Sequence, residues 1–151
     1  MRIKSKVKRK RAKMAAKRSK KRDYTYAVGR RRRATARVRL YKGRKQSLVD
    51  EKLIGEYFPG EVNAKAWMKP FELCGVVGKY YVTVKVSGGG KKGQLEAVVH
   101  GIARAFNSLD EKKFREPLKK AGLLTRDPRV RQRRMVGTGG KARRQKQSPK
   151  R

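Results

Sequence analysis

The sequence predicts a mixed α/β (α+β) domain of roughly a hundred residues, carried between two long basic extensions. Three observations predict it. Residues 24–41 and 79–87 alternate apolar and polar side chains with period two, as strands do. Residues 95–109 repeat apolar side chains at three- and four-residue spacing, as an amphipathic helix does. Charge is the third: of 46 basic and 11 acidic residues, 1–23 hold 13 bases and 1 acid, and 126–151 hold 11 and 1. The division is therefore a basic arm (1–23), a globular domain (24–125) and a basic tail (126–151).

In chain order, residues 1–22 intersperse basic clusters with Ala, Ser and Met. Like charges oppose helix there until an anion neutralises them, so the arm is expected to order on RNA. A nuclear-localisation-like signal or a transit remnant has the same composition. From Tyr24 to Tyr41 the even positions (Tyr24, Tyr26, Val28, Ala34, Ala36, Val38, Leu40) are expected to face inward. Arg31, Arg33, Thr35, Arg37 and Arg39 would then form a cationic outer face. Arg30 to Arg33, next to Gly29, predict a bulge or bend at which backbone approaches phosphate.

Lys45 to Val49 is a short strand, and Pro59-Gly60 a turn after Glu51 to Phe58. Glu61 to Lys69 is a short helix closed by Pro70, with Val62 and Ala66 one turn apart and Trp67 in the core. Cys74, between Leu73 and Gly75, is expected to be a small buried hydrophobe.

After the Lys79–Ser87 strand comes the loop SGGGKKGQ. Gly88, Gly89, Gly90, Lys91 and Lys92 there offer backbone N–H groups, a helix N-terminus and two ammonium groups to a phosphate. It is not a nucleotide P-loop, because Gln94-Leu95 stands where Lys-Ser/Thr is required. Arg104 falls on the outer side of the following helix. Asp110 caps a short turn through Phe114, and Pro117 opens a second short helix ending at Gly122. Leu123-Leu124 return apolar side chains to the core. The tail then exposes Arg126, Arg129, Arg131, Arg133, Arg134, Lys141, Arg143 and Arg144, with too little apolar surface to fold alone.

A net charge of +35 disfavours a compact free protein and calls for a permanent polyanion. Nucleic acid supplies one, because neutralising phosphates releases condensed counterions. No apolar run approaches the 18 or so residues of a membrane span, and no lipidation signal is present. A single cysteine precludes an internal disulfide and suits a reducing compartment. The lone histidine, His100, has no cysteine partner at metal-ligand spacing and is expected to pack or hydrogen-bond. Asp50-Glu51 and Asp110-Glu111 are expected as solvated turn residues. No catalytic constellation, cofactor or metal is expected.

The strand YAVGRRRRATARVRLY, the phrase GEYFP, the segment SGGGKKGQLEAVVHGIARAF, and KKAGLLTRDPRVRQRR followed by GKARR and a terminal KR resemble the small-subunit ribosomal protein nine family, from about Tyr26 to Arg151. That resemblance implies a small two-layer sandwich: a four-stranded sheet, helices on one face and a left-handed β-α-β crossover. It further implies a non-enzymatic constituent of the small-subunit head, bound to the 3′ major domain of small-subunit rRNA beside neighbouring head proteins. Neither a homo-oligomer nor a membrane association is implied; the ribosome is cytoplasmic, an organellar one being the alternative. Within it, Arg30, Arg31, Arg32, Arg33, Arg37 and Arg39, the glycine loop and the tail cations are expected on rRNA. Ser148, Lys150 and Arg151 are expected on the anticodon stem-loop of P-site tRNA. The family usually ends in Ser-Lys-Arg; here Pro149 takes the serine position and Ser148 a usual aromatic one. From composition alone, the competing reading is a free-standing nucleic-acid chaperone or nucleoid protein.

Overall fold

Period two holds on both sides of the arginine run, but its phase inverts across it. In the computed structural model, which describes residues 23–134, strand β1 (Tyr24–Arg31) and strand β2 (Ala34–Lys42) form an antiparallel hairpin. Arg31 pairs with Ala34 across the two-residue turn Arg32-Arg33, and Arg32 adopts a positive φ of 51°. The arginine run is therefore a hairpin turn, not a bulge or bend within one strand. Because cross-strand partners share a face, the buried residues are odd in β1 (Ala27, Gly29, Arg31) and even in β2 (Ala34, Ala36, Val38, Leu40). Tyr24, Tyr26 and Val28 thus lie on the outer face, and Arg31 on the inner one, opposite to expectation.

Strand β5 (Tyr80–Ser87) continues the sheet antiparallel to β2. Next to it runs the two-residue strand β3 (Leu48–Val49), parallel to β5, and then β4 (Lys52–Leu53) at the edge. The order β1-β2-β5-β3-β4 makes five strands rather than four. The extra strand closes a minimal hairpin through Asp50 and Glu51, which take φ values of 46° and 70°. Between the parallel neighbours β3 and β5 the chain passes through helices α1 (Ile54–Tyr57) and α2 (Glu61–Leu73), a β-α-β crossover.

Helix α3 (Lys91–Leu109) covers the inner face of β1 and β2 and buries Leu95, Val98, Ile102 and Phe106. Two glycines let it come close. A Cβ on Gly101 would sit 2.6 Å from Val38 Cγ2, and one on Gly29 would strike the Ala97 carbonyl oxygen of α3. Phe106 collects the other elements: Phe71 of α2, Tyr80 of β5 and Phe114 of helix α4 (Glu111–Lys120) meet it edge-on, at 5.2, 5.8 and 5.6 Å between ring centroids.

Neither proline marks the helix boundary expected of it: Pro70, expected to close a helix, and Pro117, expected to open one, both lie inside helices. Helix α2 runs through Pro70 to Leu73, because the Pro70 ring is itself fully buried and its contacts offset the lost amide donor. Helix α4 starts at Glu111, capped by the Asp110 side chain accepting from the Lys113 amide at 3.3 Å, and continues through Pro117. It is one helix rather than a turn and a helix. Phe114 and Leu118 bury one side, while Glu111–Arg115 and Glu116–Lys120 pair on the other. Val62 is 82% exposed, so it contributes nothing to the core, whereas Trp67 packs against the core and meets Phe71 edge-on at 6.4 Å. Cys74 is half-buried, and burial pushes its thiol up to about 11. Leu123 and Leu124 return to the core as expected. The arm 1–22 and the tail positions Lys141, Arg143, Arg144, Ser148, Lys150 and Arg151 lie outside the described residues.

Candidate nucleic-acid interface

The glycine segment after β5 packs on the β1–β2 turn. Gly88 has a φ of 73°, and a Cβ there would lie 2.6 Å from the Arg33 carbonyl oxygen; the Gly89 counterpart would be 3.0 Å from Ala34 Cβ. The first job of these glycines is this close approach, which sets the exposed Arg32 and Arg33 beside the N-terminus of α3. Helix α3 begins earlier than expected, with Gly90 at the cap, so Lys91 and Lys92 are first-turn residues and not loop residues. Ammonium groups there oppose the helix dipole, an unfavourable placement unless an anion joins them. Lys91 lies over the Tyr57 ring, 3.2 Å from its centroid. Gln94 secures the loop, donating to the Gly88 carbonyl at 3.1 Å and accepting from the Tyr57 hydroxyl at 3.0 Å.

Arg31 behaves differently from its neighbours. It is 8% exposed, and its three nitrogens are engaged internally: Nε with Glu96 at 2.5 Å, one Nη with the Arg129 carbonyl at 2.8 Å, the other with Asp127 at 3.1 Å. Asp127 also accepts from the backbone and guanidinium of Arg129, with Nη2 at 2.6 Å. Hydrogen bonds from the Arg129 side chain and backbone, with the Arg31 charge behind them, hold the Asp127 carboxyl well below the usual carboxylate range. These residues clasp the root of the tail to β1 and α3. Arg129 remains on the surface, while Arg31 is removed from the exposed set.

His100 makes a second clasp. Its Nδ1 accepts from the Arg30 amide at 3.3 Å, which leaves the Nε2 proton for the Leu124 carbonyl, also at 3.3 Å. Burial lowers its pKa; the Leu124 bond opposes this and the Arg104 and Arg126 charges reinforce it, so the ring is neutral at pH 7. Beside it, Arg30, Arg104 and Arg126 line one depression of about 360 Å³. Arg104, which donates to the Val28 carbonyl at 2.6 Å, was not among the expected contact residues. Its helical phase marked it as outward, but Val28 is 76 positions away and no local pattern shows it.

The outer face of the sheet carries Arg37 and Arg39 of β2, both exposed, as expected. Lys85 of β5 stands opposite Arg37 and extends the face; the β5 alternation already placed it there. Among the described residues none of the three forms an ion pair. Arg126, Arg131 and Arg133 are exposed along the tail root, and Arg134 is half-buried. No described helix is long and apolar enough to cross a membrane.

These surfaces belong to a chain whose residues 29–151 match the family described as ribosomal protein S9/S16. Among its relatives, the small ribosomal subunit protein uS9 of Cutibacterium acnes is 44% identical over 111 residues, covering 74% of this chain and 64% of that protein. The uS9 of Maridesulfovibrio salexigens is 42% identical over 118 residues, 78% of this chain and 90% of that protein. That of Solidesulfovibrio magneticus is 45% identical over the same span and shares. The chain thus spans less than two thirds of the first relative and most of the other two, and it belongs to the ribosomal protein S9/S16 family.

Proposed function

We propose that this chain, by its family a structural and non-enzymatic small-subunit ribosomal protein, binds small-subunit rRNA in the head through its cationic turn, sheet face and tail root. The observation that carries this reading is the joining of Arg32-Arg33 to the α3 N-terminus by Gly88 and Gly89. Backbone donors and a helix dipole adjoin the cations Arg32, Arg33, Lys91 and Lys92, none of which forms an ion pair among the described residues. Such contacts read phosphate and shape, since A-form RNA hides its major-groove edges. In this reading the protein works in the cytoplasmic ribosome beside neighbouring head proteins, as a single copy.

Replacing Arg33, Arg37 and Arg39 together by Gln is expected to weaken binding to a head-domain rRNA fragment. The slope of log K against log salt should flatten by about 2–3. An unchanged slope would sink the phosphate assignment.

The tail carries the second half of the proposal. Its root is held by Arg31 and His100, and the residues beyond would run through rRNA until Lys150 and Arg151 meet P-site tRNA. Removing Ser148 to Arg151 is expected to leave assembly and rRNA affinity intact and to speed tRNA dissociation from the P site. Equal off-rates from intact and truncated subunits would overturn it.

A further inference from the structure

We infer that the outer face of the sheet, around Tyr26, is a stacking site for an unpaired RNA base; the inference deepens the rRNA-binding reading and rests on it. Tyr26 is 43% exposed, an unusual placement for a ring that strand alternation could have turned inward. The phase inversion at the Arg32-Arg33 turn puts it outside, directly across from Arg39. Tyr24, Tyr41 and Tyr81 continue the aromatic surface over three strands, with centroids 5.4 and 5.1 Å apart and the last two rings nearly parallel at 11°. Arg39 lies 5.3 Å above the Tyr24 ring, and Arg37 and Lys85 complete a cationic border.

Between the Tyr24 and Tyr26 rings and the β3–β4 turn runs an open groove of about 420 Å³, lined also by Arg37, Arg39, Lys85, Asp50 and Glu51. No described helix covers this face. Its floor and its far wall differ in chemistry. Arg37, Arg39 and Lys85, on the central strands β2 and β5, suit phosphates along the floor. Asp50 and Glu51 repel phosphate but accept hydrogen bonds from base amino groups. Asp50 Oδ1 already accepts from the Val86 amide at 3.2 Å, which holds the side chain in place. An aromatic wall beside a phosphate-binding floor, with amino-accepting carboxylates across it, matches a splayed nucleotide, and a paired, stacked base would not reach the wall.

The test compares a single-stranded oligoadenylate of about twelve nucleotides with a duplex RNA of equal length, bound to the full chain. Tyr26→Leu is expected to weaken single-strand binding about tenfold with its salt slope unchanged, and to leave duplex binding alone. Tyr26→Phe should restore the affinity, because the ring, not the hydroxyl, carries the contact. Arg37→Gln should instead lower the slope by about 1. Unchanged single-strand affinity in Tyr26→Leu, with the Arg37→Gln slope still reduced, overturns the stacking site and leaves the phosphate reading standing. Failure of the wild type to bind either RNA overturns both. Ultraviolet cross-linking of Tyr26 to a polypeptide instead of RNA in the assembled subunit also overturns the stacking site.

Discussion

Arg31 shows how one side chain in a run of four can have a different task. Arg30, Arg32 and Arg33 are exposed, while Arg31 closes over Glu96 and Asp127, 65 and 96 residues ahead in the chain. Arg31→Met would leave both carboxylates without their shared cation; they keep partial hydration, so a loss of about 1–3 kcal/mol is expected, read from urea midpoints. Midpoints equal to wild type would refute the clasp. Asp127 gives it a pH signature. A carboxylate whose folded pKa is depressed contributes fully above its unfolded value of about 3.9 and loses that contribution as pH falls through the folded value. The tail root is therefore expected to stay paired through about pH 4, checked by carboxyl-carbon titration of Asp127 in NMR. His100 runs the same way for a base: its lowered folded pKa means the unfolded chain takes the proton first. Stability is then full above about pH 6.5 and falls as pH drops below it. His100→Gln should remove that portion of the pH dependence. None of this was readable locally, since the pattern RRRR contains nothing that separates one arginine from the next.

At the scale of elements, sequence periodicity located β5 to within a residue and the buried faces of β2 and α3, because each buries one regular face over eight residues or more. It ran β2 together with β1, however, and began α3 at Leu95 instead of Lys91. It was weakest where an element is too short to show a period: of the strand expected at Lys45 to Val49 only Leu48–Val49 forms, and β4 was not expected. It failed where a local rule met a tertiary contact. Pro70 reads as a helix end and Pro117 as a helix start by their own chemistry, but Pro70 lies in the core and α4 has Phe114 and Leu118 to anchor it on both sides of Pro117. The phase flip in β1 escaped for a related reason: a two-residue turn of arginine, without Gly or Asn, does not look like a hairpin. The contact that decides the layer spacing is Gly29 against α3. Gly101→Ala gains helix propensity of about 1 kcal/mol, yet its methyl would meet Val38 Cγ2 at 2.6 Å. A net loss of about 1–2 kcal/mol in denaturant melts is expected. Gly29→Ala meets backbone that cannot yield and should leave no cooperative transition; a wild-type melt for either would contradict the close packing described.

The whole molecule combines a well-packed but small core with a charge it cannot neutralise by itself. Among the described residues the ion pairs gather in two places, the tail root and the solvent side of α4. Arg32 and Arg33 of the turn, Arg37, Arg39 and Lys85 of the sheet face, and Arg131 and Arg133 of the tail root form no ion pair among the described residues. Self-repulsion then opposes the compact state, and it is screened over about 10 Å at 0.1 M salt. The isolated protein is accordingly expected to melt at higher temperature as salt rises from about 0.02 to 0.3 M, opposite to the effect of salt on its RNA affinity. RNA should exceed what salt can do, because binding the folded state adds stability with ligand concentration. At a hundred times the dissociation constant the gain is about 2.7 kcal/mol, on the order of 10 °C or more for a domain of this size. The two effects should also interfere: at high salt, where repulsion is already screened and phosphate contacts are weakened, added RNA should stabilise little. Thermal melts over a grid of salt and rRNA-fragment concentration would show this as a stabilisation by RNA that shrinks along the salt axis. A salt-independent melting point for the free chain would mean that its cations are already balanced within the fold, and that the open cationic surfaces are not held in reserve for a polyanion.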